Sequence, residues 1–389
     1  MTSAYPGRMW TLSPGKNIPL SARSVLSVDL GALRANWAKL NQVSGRAECA
    51  GVVKADAYGL GLEPIARALT NEGCKTFFVA TIDEGRRARM VQPGATIYIL
   101  DGLLPGAETN YTGFDLKPVL SSLAEIRDWA AYSRSRGRRL PAAIHIDTGM
   151  NRMGLPESEV EQLAAEPGLL DNFEVCLIVS HLACADEPGN AMNEMQRQRF
   201  EYLRAKLPPA PASLANSGGT FLGNGYHFDL VRPGIALYGG RAHETGPNLM
   251  KSVVTCAARI MQVRDVGVGA SIGYGATYRV QRPSRIATIG VGYADGFLRA
   301  LSVGTGEAGP VGFIGDYPVP IVGRVSMDFI TVDVTDVPPE MTRRGAWVEV
   351  MGPRITVDDL TDKAGTIGYE LLTRLGQRVH RVYEDGGRT

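Results

Sequence analysis

Short β-rich runs alternate with amphipathic helical segments from about residue 24 to about residue 248, and this alternation constrains the fold more than any other feature. Strands that alternate with helices are typical of a parallel sheet with right-handed crossovers. About eight such units favour an α/β fold with an N-terminal (β/α)8 barrel of the TIM type, and an open doubly wound sheet is the alternative. The predicted strands span residues 25–28, 49–53, 76–80, 97–100, 117–120, 142–146, 174–180 and 212–215.

The pattern changes after residue 248. Helical periodicity fades, and short β-branched runs separated by Gly and Pro take over. This change predicts a mostly-β C-terminal domain over residues 249–389, with one late helix near 355–364. The barrel then occupies residues 24–248. Residues 1–23, rich in Gly, Pro and Ser, are predicted to form a flexible N-terminal extension.

Charge and hydropathy exclude several classes of partner. The 389 residues include 41 Lys and Arg against 40 Asp and Glu, a formal net charge of +1. Nucleic-acid-binding proteins usually present a strongly basic face, so no nucleic-acid partner is expected. The longest apolar runs fall far short of the roughly 20 residues that span a bilayer, and the N-terminus lacks an apolar signal region. We therefore expect a cytoplasmic protein with no membrane partner.

The five cysteines are scattered along the chain and form no C-x-x-C pair. This arrangement argues against a disulfide framework and against a structural zinc site. His181 and Cys184 could touch one metal ion, but two ligands are too few. We predict buried free thiols and no bound metal.

Lys54 follows a buried apolar strand in the segment C-A-G-V-V-K-A-D-A-Y-G. In a barrel of this kind, function lies where strands end and the following loops begin. Lysine is rarely buried without a partner. Lys54 is therefore either an ordinary lysine that emerges into solvent or a desolvated amine with a lowered pKa, suited to form a Schiff base with an aldehyde.

Two later segments are candidate anion sites. L-A-N-S-G-G-T at 214–220 follows a strand and opens a helix, where Ser217 can cap and free amides can face an anion. In V-R-P-G-I-A-L-Y-G, Arg232 follows a strand, and the amides of Gly234 and Ile235 could face the same phosphate. A phosphate site at the late loops of a barrel, together with a strand-end lysine, suggests pyridoxal 5'-phosphate (PLP).

Nine motifs in sequence order resemble those of the alanine racemases, which are fold-type III PLP-dependent enzymes. The resemblance covers nearly all of residues 24–389. It implies an isomerase that interconverts L-alanine and D-alanine and supplies D-alanine for peptidoglycan. The motifs are V-V-K-A-D-A-Y-G, H-I-D-T-G-M-N-R-M-G, S-H-L-A-C-A-D, A-N-S-G-G, V-R-P-G-I-A-L-Y-G, G-Y-G-A-T-Y, G-Y-A-D-G, G-R-V-S-M-D and Y-E-L-L.

The resemblance also implies a role for individual residues around the cofactor. Lys54 would hold PLP as a Schiff base, His181 would lie beside the ring, and Arg232 would face the pyridine nitrogen. An always-charged guanidinium keeps that nitrogen unprotonated, which weakens the ring as an electron sink and suppresses side reactions. The implied cofactor-binding residues are Lys54, Tyr58, His181, Asn216, Ser217, Arg232, Gly234, Ile235 and Tyr369.

Racemisation needs a base on each face of Cα, and the resemblance implies Lys54 and Tyr274 as the two catalytic residues. Tyr274 would come from a partner subunit, so the enzyme would be a homodimer with shared sites. A free tyrosine has a pKa of about 10, so Tyr274 needs a partner group, for which the His181–Arg232 pair is the candidate.

The implied substrate-binding residues are Arg152, Met327 and Tyr293, with Asp328 behind them at the shared entrance. Simpler interpretations exist for several of these positions. Tyr274 and Tyr293 could pack within the β domain, and Met327 could fill its core. His181 could be a strand-end histidine with a purely structural hydrogen bond.

His145 departs from the family pattern. Many relatives carry a lysine there whose carbamate orients the arginine that corresponds to Arg152. A histidine has a pKa near 6.5 and supplies no fixed anion. Arg152 is then oriented either by neutral His145 or by a bound chloride. Asp56 and Leu60 are milder departures from the Asn and His that relatives more often carry.

Three rival functions remain open at this point. One is a racemase of another small amino acid, such as serine. Another is a non-catalytic PLP-binding homeostasis protein, which has the barrel but lacks the β domain. The third is a decarboxylase, which places an acidic residue on the pyridine nitrogen where this chain offers Arg232.

Overall fold

The computed structural model of the chain describes residues 18–385. The predicted N-terminal extension therefore lies outside the described residues over positions 1–17. Within the described part, residues 32–251 form one compact unit. Residues 18–31 and 252–385 form the other.

Residues 32–251 build a barrel whose eight short strands run parallel to their neighbours in the sheet. The ring closes on both sides of the last strand. On one side, Leu230–Val231 pairs with Glu48–Cys49 of the first strand. On the other side, the amide of Arg232 donates to the carbonyl of Ala215, just after the seventh strand, at 2.9 Å. The prediction of a closed (β/α)8 barrel is confirmed. The strands are Glu48–Cys49 with Gly51–Val52, Thr76–Val79, Thr96–Ile99, Lys117–Leu120, Pro141–His145, Glu174–Val179, Ala212–Ser213 and Leu230–Val231.

The assignment of residues 25–28 to the barrel is wrong. Strand Ser24–Asp29 pairs antiparallel with Val254–Val266 and parallel with His380–Glu384, so it belongs to the other unit. Its side chains are buried along almost the whole strand, and a strand buried on both faces looks the same in sequence whichever sheet receives it. The eighth barrel strand is Leu230–Val231, which is too short to show a periodic pattern.

Helices connect the barrel strands, and their apolar residues face the sheet. In Leu62–Glu72 the buried residues Leu62, Ile65 and Leu69 recur at helical spacing. Ile82–Val91 begins with a capping box between Thr81 and Glu84. The longer helices are Leu30–Ser44, Leu62–Glu72, Ile82–Val91, Leu123–Ser135, Glu157–Ala165 and Ala191–Arg204. Shorter helical segments are Lys54–Tyr58, Glu108–Gly113, Pro167–Leu170, Ser217–Phe221, Asn224–Tyr226 and Ile235–Tyr238.

The second unit is mostly β, as predicted, and contains one eight-stranded sheet and a small hairpin. The long strand Val254–Val266 pairs with three other strands and shifts register between Ile260 and Gln262. In sheet order the strands are Ser284–Ile289, Ile330–Asp333, Tyr317–Val322, Val311–Ile314, Trp347–Met351, Val254–Val266, Ser24–Asp29 and His380–Glu384. The hairpin joins Ser271–Ile272 to Tyr278–Arg279.

Helices are few in the second unit. The predicted late helix is present as Val357–Ala364, which begins with a capping box between Thr356 and Asp359. The other helical segments are Gly368–Thr373, Tyr274–Ala276, Tyr293–Asp295, Arg299–Leu301 and Pro339–Met341. Across residues 18–385, no helix has both the length and the apolar character that a membrane crossing requires.

Candidate active site

The candidate site lies at the carboxyl ends of the barrel strands. Lys54 follows the first strand, and His145 ends the fifth. His181, Ser217 and Arg232 follow the sixth, seventh and eighth strands. In a (β/α)8 barrel this edge carries the reactive groups. The sequence predicts this placement for Lys54, Ser217 and Arg232, and the structure brings them to one end of the barrel.

A left-handed helical turn follows Lys54. Residues 55–58 have φ angles of 53°, 54°, 53° and 56°, and none of them is glycine. L-amino acids in this conformation cost about 1–2 kcal/mol each, because Cβ approaches the following carbonyl oxygen. The turn connects Lys54 to Tyr58, whose ring is buried. Strain of this kind is typical of functional sites, where the surroundings impose the conformation.

The pKa of the Lys54 amine is lowered from its usual value. Burial is the main cause, and the positive charge of Arg152 is the second. Asp101 and Glu84 act in the opposite direction and stabilise the ammonium. A lowered pKa leaves more of the amine neutral at neutral pH, which is the form that attacks an aldehyde. The interpretation of Lys54 as an ordinary solvent-exposed lysine is wrong, since the residue is partly buried among charged neighbours.

Arg232 is fixed in the barrel by carbonyls and hydroxyls at the strand ends. Its Nη1 donates to the Ser213 hydroxyl. Its Nη2 donates to the carbonyl of Ser180 at 2.5 Å and faces Nδ1 of His181 at 3.5 Å. Burial lowers the pKa of Arg232 to about 10, so the guanidinium stays charged at neutral pH. It therefore offers a fixed positive charge inside the site.

His181 is held in its neutral form. Burial lowers its pKa well below the usual value, and the nearby charges of Arg232, Arg152 and Lys54 lower it further. Because Arg232 can only donate, Nδ1 of His181 accepts and Nε2 carries the proton.

Gln196, in the helix Ala191–Arg204, also contributes to the site. Its side chain is buried and donates from Nε2 to the carbonyl of His181 at 2.9 Å and to Thr148 Oγ1 at 3.0 Å. Thr148 in turn shares a hydrogen bond of 2.8 Å with Ser180. These contacts fix the backbone that carries His181. A glutamine within an amphipathic helix gives no local signal of such a role.

The loops after the last two barrel strands form a candidate phosphate cradle. The Ser217 hydroxyl accepts a hydrogen bond from the amide of Gly234 at 2.8 Å. Gly234 has no space for a side chain, because a Cβ there would clash with the Tyr58 hydroxyl. Ile235 opens the short helix Ile235–Tyr238, so its amide has no acceptor within that helix. The hydroxyls of Ser217 and Tyr58 and these amides are grouped at one point, and they fit a phosphate group.

Asn216 supports the same cradle by capping the helix that follows it. Its Oδ1 accepts a hydrogen bond from the amide of Gly219 at 2.9 Å and so caps the short helix Ser217–Phe221. This contact orients the first amides of the helix. Ala185 lies against Gly218 so closely that a Cβ at position 218 would clash with its carbonyl.

Arg152 lies in the exposed loop that follows the fifth barrel strand. The Asp147 carboxylate holds this loop by accepting hydrogen bonds from the amides of Gly149 at 2.9 Å and Met150 at 3.0 Å. The guanidinium is near enough to lower the pKa values of both Lys54 and His181. The structure therefore places Arg152 at the same edge of the barrel as the lysine.

His145 is neutral at physiological pH. Its pKa is lowered to about 4, mainly by burial and then by the charge of Arg232, with Arg152 adding a smaller effect. Nδ1 lies 3.3 Å from the hydroxyl of Ser121, which is another contact that the sequence does not reveal. A neutral histidine provides no anion for Arg152, so the choice between neutral His145 and a bound chloride stays a prediction.

Five of the predicted site residues belong to the other compact unit. Tyr274 is 71% exposed, and Met327 is 53% exposed. The interpretations of Tyr274 as a packing residue and of Met327 as a core filler are therefore wrong. Tyr293 and Tyr369 are each 41% exposed.

The loops that carry Tyr293 and Met327 are joined by their backbones. The amide of Tyr293 donates to the carbonyl of Ser326, and the amide of Ala294 donates to that of Met327, both at 3.0 Å. Asp328 is paired with Arg378, whose Nη2 lies 2.5 Å from its carboxylate. These contacts make the two loops one local structure.

Among the described residues, no group of three or more His, Cys, Asp or Glu side chains is arranged to hold a metal ion. The residues instead fit an organic cofactor. A lysine amine with a lowered pKa and an anion cradle at one edge of a (β/α)8 barrel define the class of barrel enzymes that bind PLP.

Comparisons with known proteins define the class more narrowly. The family model "Alanine racemase, N-terminal domain" matches residues 28–242, and "Alanine racemase, C-terminal domain" matches residues 253–383. The alanine racemase of Rhizobium meliloti is 49% identical over 373 residues, 94% of this chain and 98% of that protein. A relative in Mesorhizobium japonicum, named as a catabolic alanine racemase, is 48% identical over 94% of both chains.

Solved structures agree. The alanine racemase of Bartonella henselae, which carries covalently bound PLP, superposes with a TM-score of 0.87 at 39% identity, over 93% of this chain and 100% of that one. The biosynthetic enzyme of Pseudomonas aeruginosa gives a TM-score of 0.84 at 32% identity, over 93% and 99%. The chain belongs to the alanine racemase family. This membership excludes the decarboxylase, and the match to the C-terminal domain excludes a PLP-binding protein without a β domain.

Proposed function

We propose that this chain, a PLP-dependent alanine racemase, moves the α-proton of alanine with two bases from two subunits. Lys54 acts on one face of Cα, and Tyr274 of a second copy acts on the other. Bound PLP supplies the electron withdrawal that makes the α-proton acidic. The observation that carries the proposal is the lowered pKa of Lys54 beside the anion cradle of a family member.

Lys54 combines two roles in this account. Its amine carries the cofactor at rest and takes or returns a proton during turnover. A base works best when its pKa lies near the operating pH, and burial beside Arg152 moves Lys54 in that direction. The strained turn at residues 55–58 directs Lys54 and Tyr58 toward the same ligand.

Arg232 and His181 serve the cofactor ring and the second base. Arg232 donates only, so it would keep a pyridine nitrogen unprotonated. His181 is neutral with its proton on Nε2, and it is the proposed partner of the Tyr274 hydroxyl. The hydrogen bonds from Arg232 to Ser213 and Ser180 fix its guanidinium.

The remaining roles concern the phosphate, the substrate and the assembly. Ser217, Tyr58, Tyr369 and the amides of Gly234 and Ile235 would bind the phosphate, and Asn216 would orient the cradle. Arg152 and the Met327 amide would hold the substrate carboxylate, with Tyr293 and Asp328 at the entrance.

A homodimer follows from the role of Tyr274, whose exposed side chain is available to a neighbouring subunit. Supply of D-alanine for peptidoglycan and a cytoplasmic location complete the proposal.

Chiral chromatography of PLP-loaded protein tests the proposed function. The protein is incubated separately with L-alanine and L-serine. We expect D-alanine to form much faster than D-serine. Faster D-serine formation would favour a serine racemase, and the absence of any D-amino acid would contradict racemisation.

A further inference from the structure

The left-handed turn after Lys54 must be imposed by contacts from elsewhere in the barrel. Its sequence, A-D-A-Y, contains two alanines, and alanine gains nothing from this conformation. Only Asp56 belongs to a residue type that tolerates it well. A run of four strained residues persists only when the surrounding structure over-determines it.

One set of contacts comes from the helix Ile82–Val91, which follows the second barrel strand. Oε1 of Glu84 accepts a hydrogen bond of 3.0 Å from the amide of Asp56. Its Oε2 accepts a hydrogen bond of 2.9 Å from the amide of Ala80. The carboxylate therefore bridges the segment after the second strand and the turn after Lys54. Asp56 itself uses Oδ1 to accept the amide of Leu62 at 3.1 Å. Two carboxylates, those of Glu84 and Asp56, therefore hold the turn at Asp56.

The carboxylate of Asp56 is paired with the guanidinium of Arg87. Nη2 of Arg87 lies 2.6 Å from Asp56 Oδ1. The same guanidinium binds Glu63 in a bidentate manner, with distances of 2.7 and 2.8 Å. Its hydrogen bonds are the main reason that the pKa of Glu63 is lowered. Without Arg87, the carboxylates of Asp56 and Glu63 would lose the cation that they share.

We propose that Arg87 is a positioning residue for the cofactor. It holds Asp56, and through Asp56 it holds the turn that has Lys54 at one end and Tyr58 at the other. Tyr58 reaches the backbone of Gly234 in the phosphate cradle. Arg87 therefore fixes the spacing between the covalent and the phosphate attachment of one ligand. The inference rests on the proposed role of Lys54 as the residue that carries PLP.

PLP titration of the apoenzyme tests the inference, with the visible absorption band of the lysine-bound cofactor as the signal. Arg87→Met is compared with Arg86→Met, which alters the adjacent arginine of the same helix. Arg86 lies over the Phe114 ring and is 3.5 Å from Asp83, away from the turn. We expect the Kd for PLP to rise about tenfold in Arg87→Met. We expect no such change in Arg86→Met.

A second variant tests the link through Asp56. Asn at position 56 removes the charge that Arg87 neutralises, keeps an oxygen for the Leu62 amide, and tolerates the left-handed conformation. We expect Asp56→Asn combined with Arg87→Met to bind PLP more tightly than Arg87→Met alone. Thermal unfolding of each apoenzyme shows whether the fold itself has changed. If Arg87→Met does not fold, Arg87→Lys replaces it, with weaker PLP binding again expected.

The outcomes separate the two hypotheses. Wild-type protein that never forms the lysine-bound band overturns the role of Lys54, and with it the proposed function. A wild-type band with an unchanged Kd in the Arg87 variant overturns only the positioning role. A double variant no tighter than the single variant overturns the path through Asp56.

Discussion

Nη2 of Arg232 lies 3.5 Å from Nδ1 of His181 at the carboxyl edge of the barrel. The pair places a charged guanidinium beside a neutral imidazole. The charge of Arg232 is second only to burial among the causes that lower the pKa of His181. Ser180, which precedes His181, accepts a hydrogen bond from Arg232 through its carbonyl and shares one with Thr148 through its hydroxyl. Arg232 therefore adds to burial in lowering the pKa of His181.

Arg232→Gln is expected to raise the pKa of His181, because it removes the neighbouring positive charge. The acid limb of the pH profile of kcat/KM should then move to higher pH. Arg139→Gln is the control, since Arg139 precedes the fifth strand and binds the carbonyl of Phe173. An acid limb that is identical in wild type and Arg232→Gln contradicts the coupling.

The candidate phosphate cradle includes a close contact between Gly234 and Tyr58. Gly234→Ala places a methyl group against the Tyr58 hydroxyl and is expected to weaken PLP binding by more than about tenfold. Gly168→Ala is the matched control, because nothing lies within 4 Å of the added Cβ. Equal PLP affinity in the two variants would show that the cradle lies elsewhere.

His145 makes stability depend on pH in a defined window. Its folded pKa of about 4 lies below the unfolded value near 6.5, so the unfolded state binds the proton more readily. Stability should fall as pH decreases from about 6.5 to about 4 and then level off with respect to this group. In His145→Gln, Tm should change less with pH over that range. An unchanged slope would mean that His145 is not held neutral.

Neutral His145 and bound chloride make different predictions for substrate binding. If His145 alone stands beside Arg152, KM for L-alanine should not change when chloride is replaced by a larger anion at constant ionic strength. A KM that rises as chloride is withdrawn would favour the anion. His145 itself should add no inflection to KM between about pH 6 and 9, because its pKa is about 4.

The sequence predicts much of this fold because the signals are local. Strand and helix periodicity predict the barrel, and the residues that follow strands predict Lys54, Ser217 and Arg232. Two strands are not assigned correctly to the barrel. Ser24–Asp29 is predicted as a barrel strand but joins the other sheet, and Leu230–Val231, which is two residues long, is not counted among the eight predicted strands.

The remaining parts of the site depend on contacts that are distant in sequence. Glu84 and Arg87 shape the turn at Asp56 from 28 and 31 residues away. Gln196 reaches Thr148 across 48 positions. Each of these residues sits in an ordinary helix, and Glu84 looks like the end of a capping box. The folded barrel brings Glu84 and Arg87 to the turn that follows Lys54, and it brings Gln196 to the backbone of His181.

The central claim is that one active site uses Lys54 of one subunit and Tyr274 of the other. Subunit mixing tests it most directly. Lys54→Ala and Tyr274→Phe are each expected to abolish or strongly reduce alanine racemisation, and the two inactive proteins are unfolded, mixed and refolded together. Half of the randomly formed dimers are mixed, and each has one intact site, so about a quarter of the wild-type activity should return. Mixed dimers that form but stay inactive would contradict shared active sites.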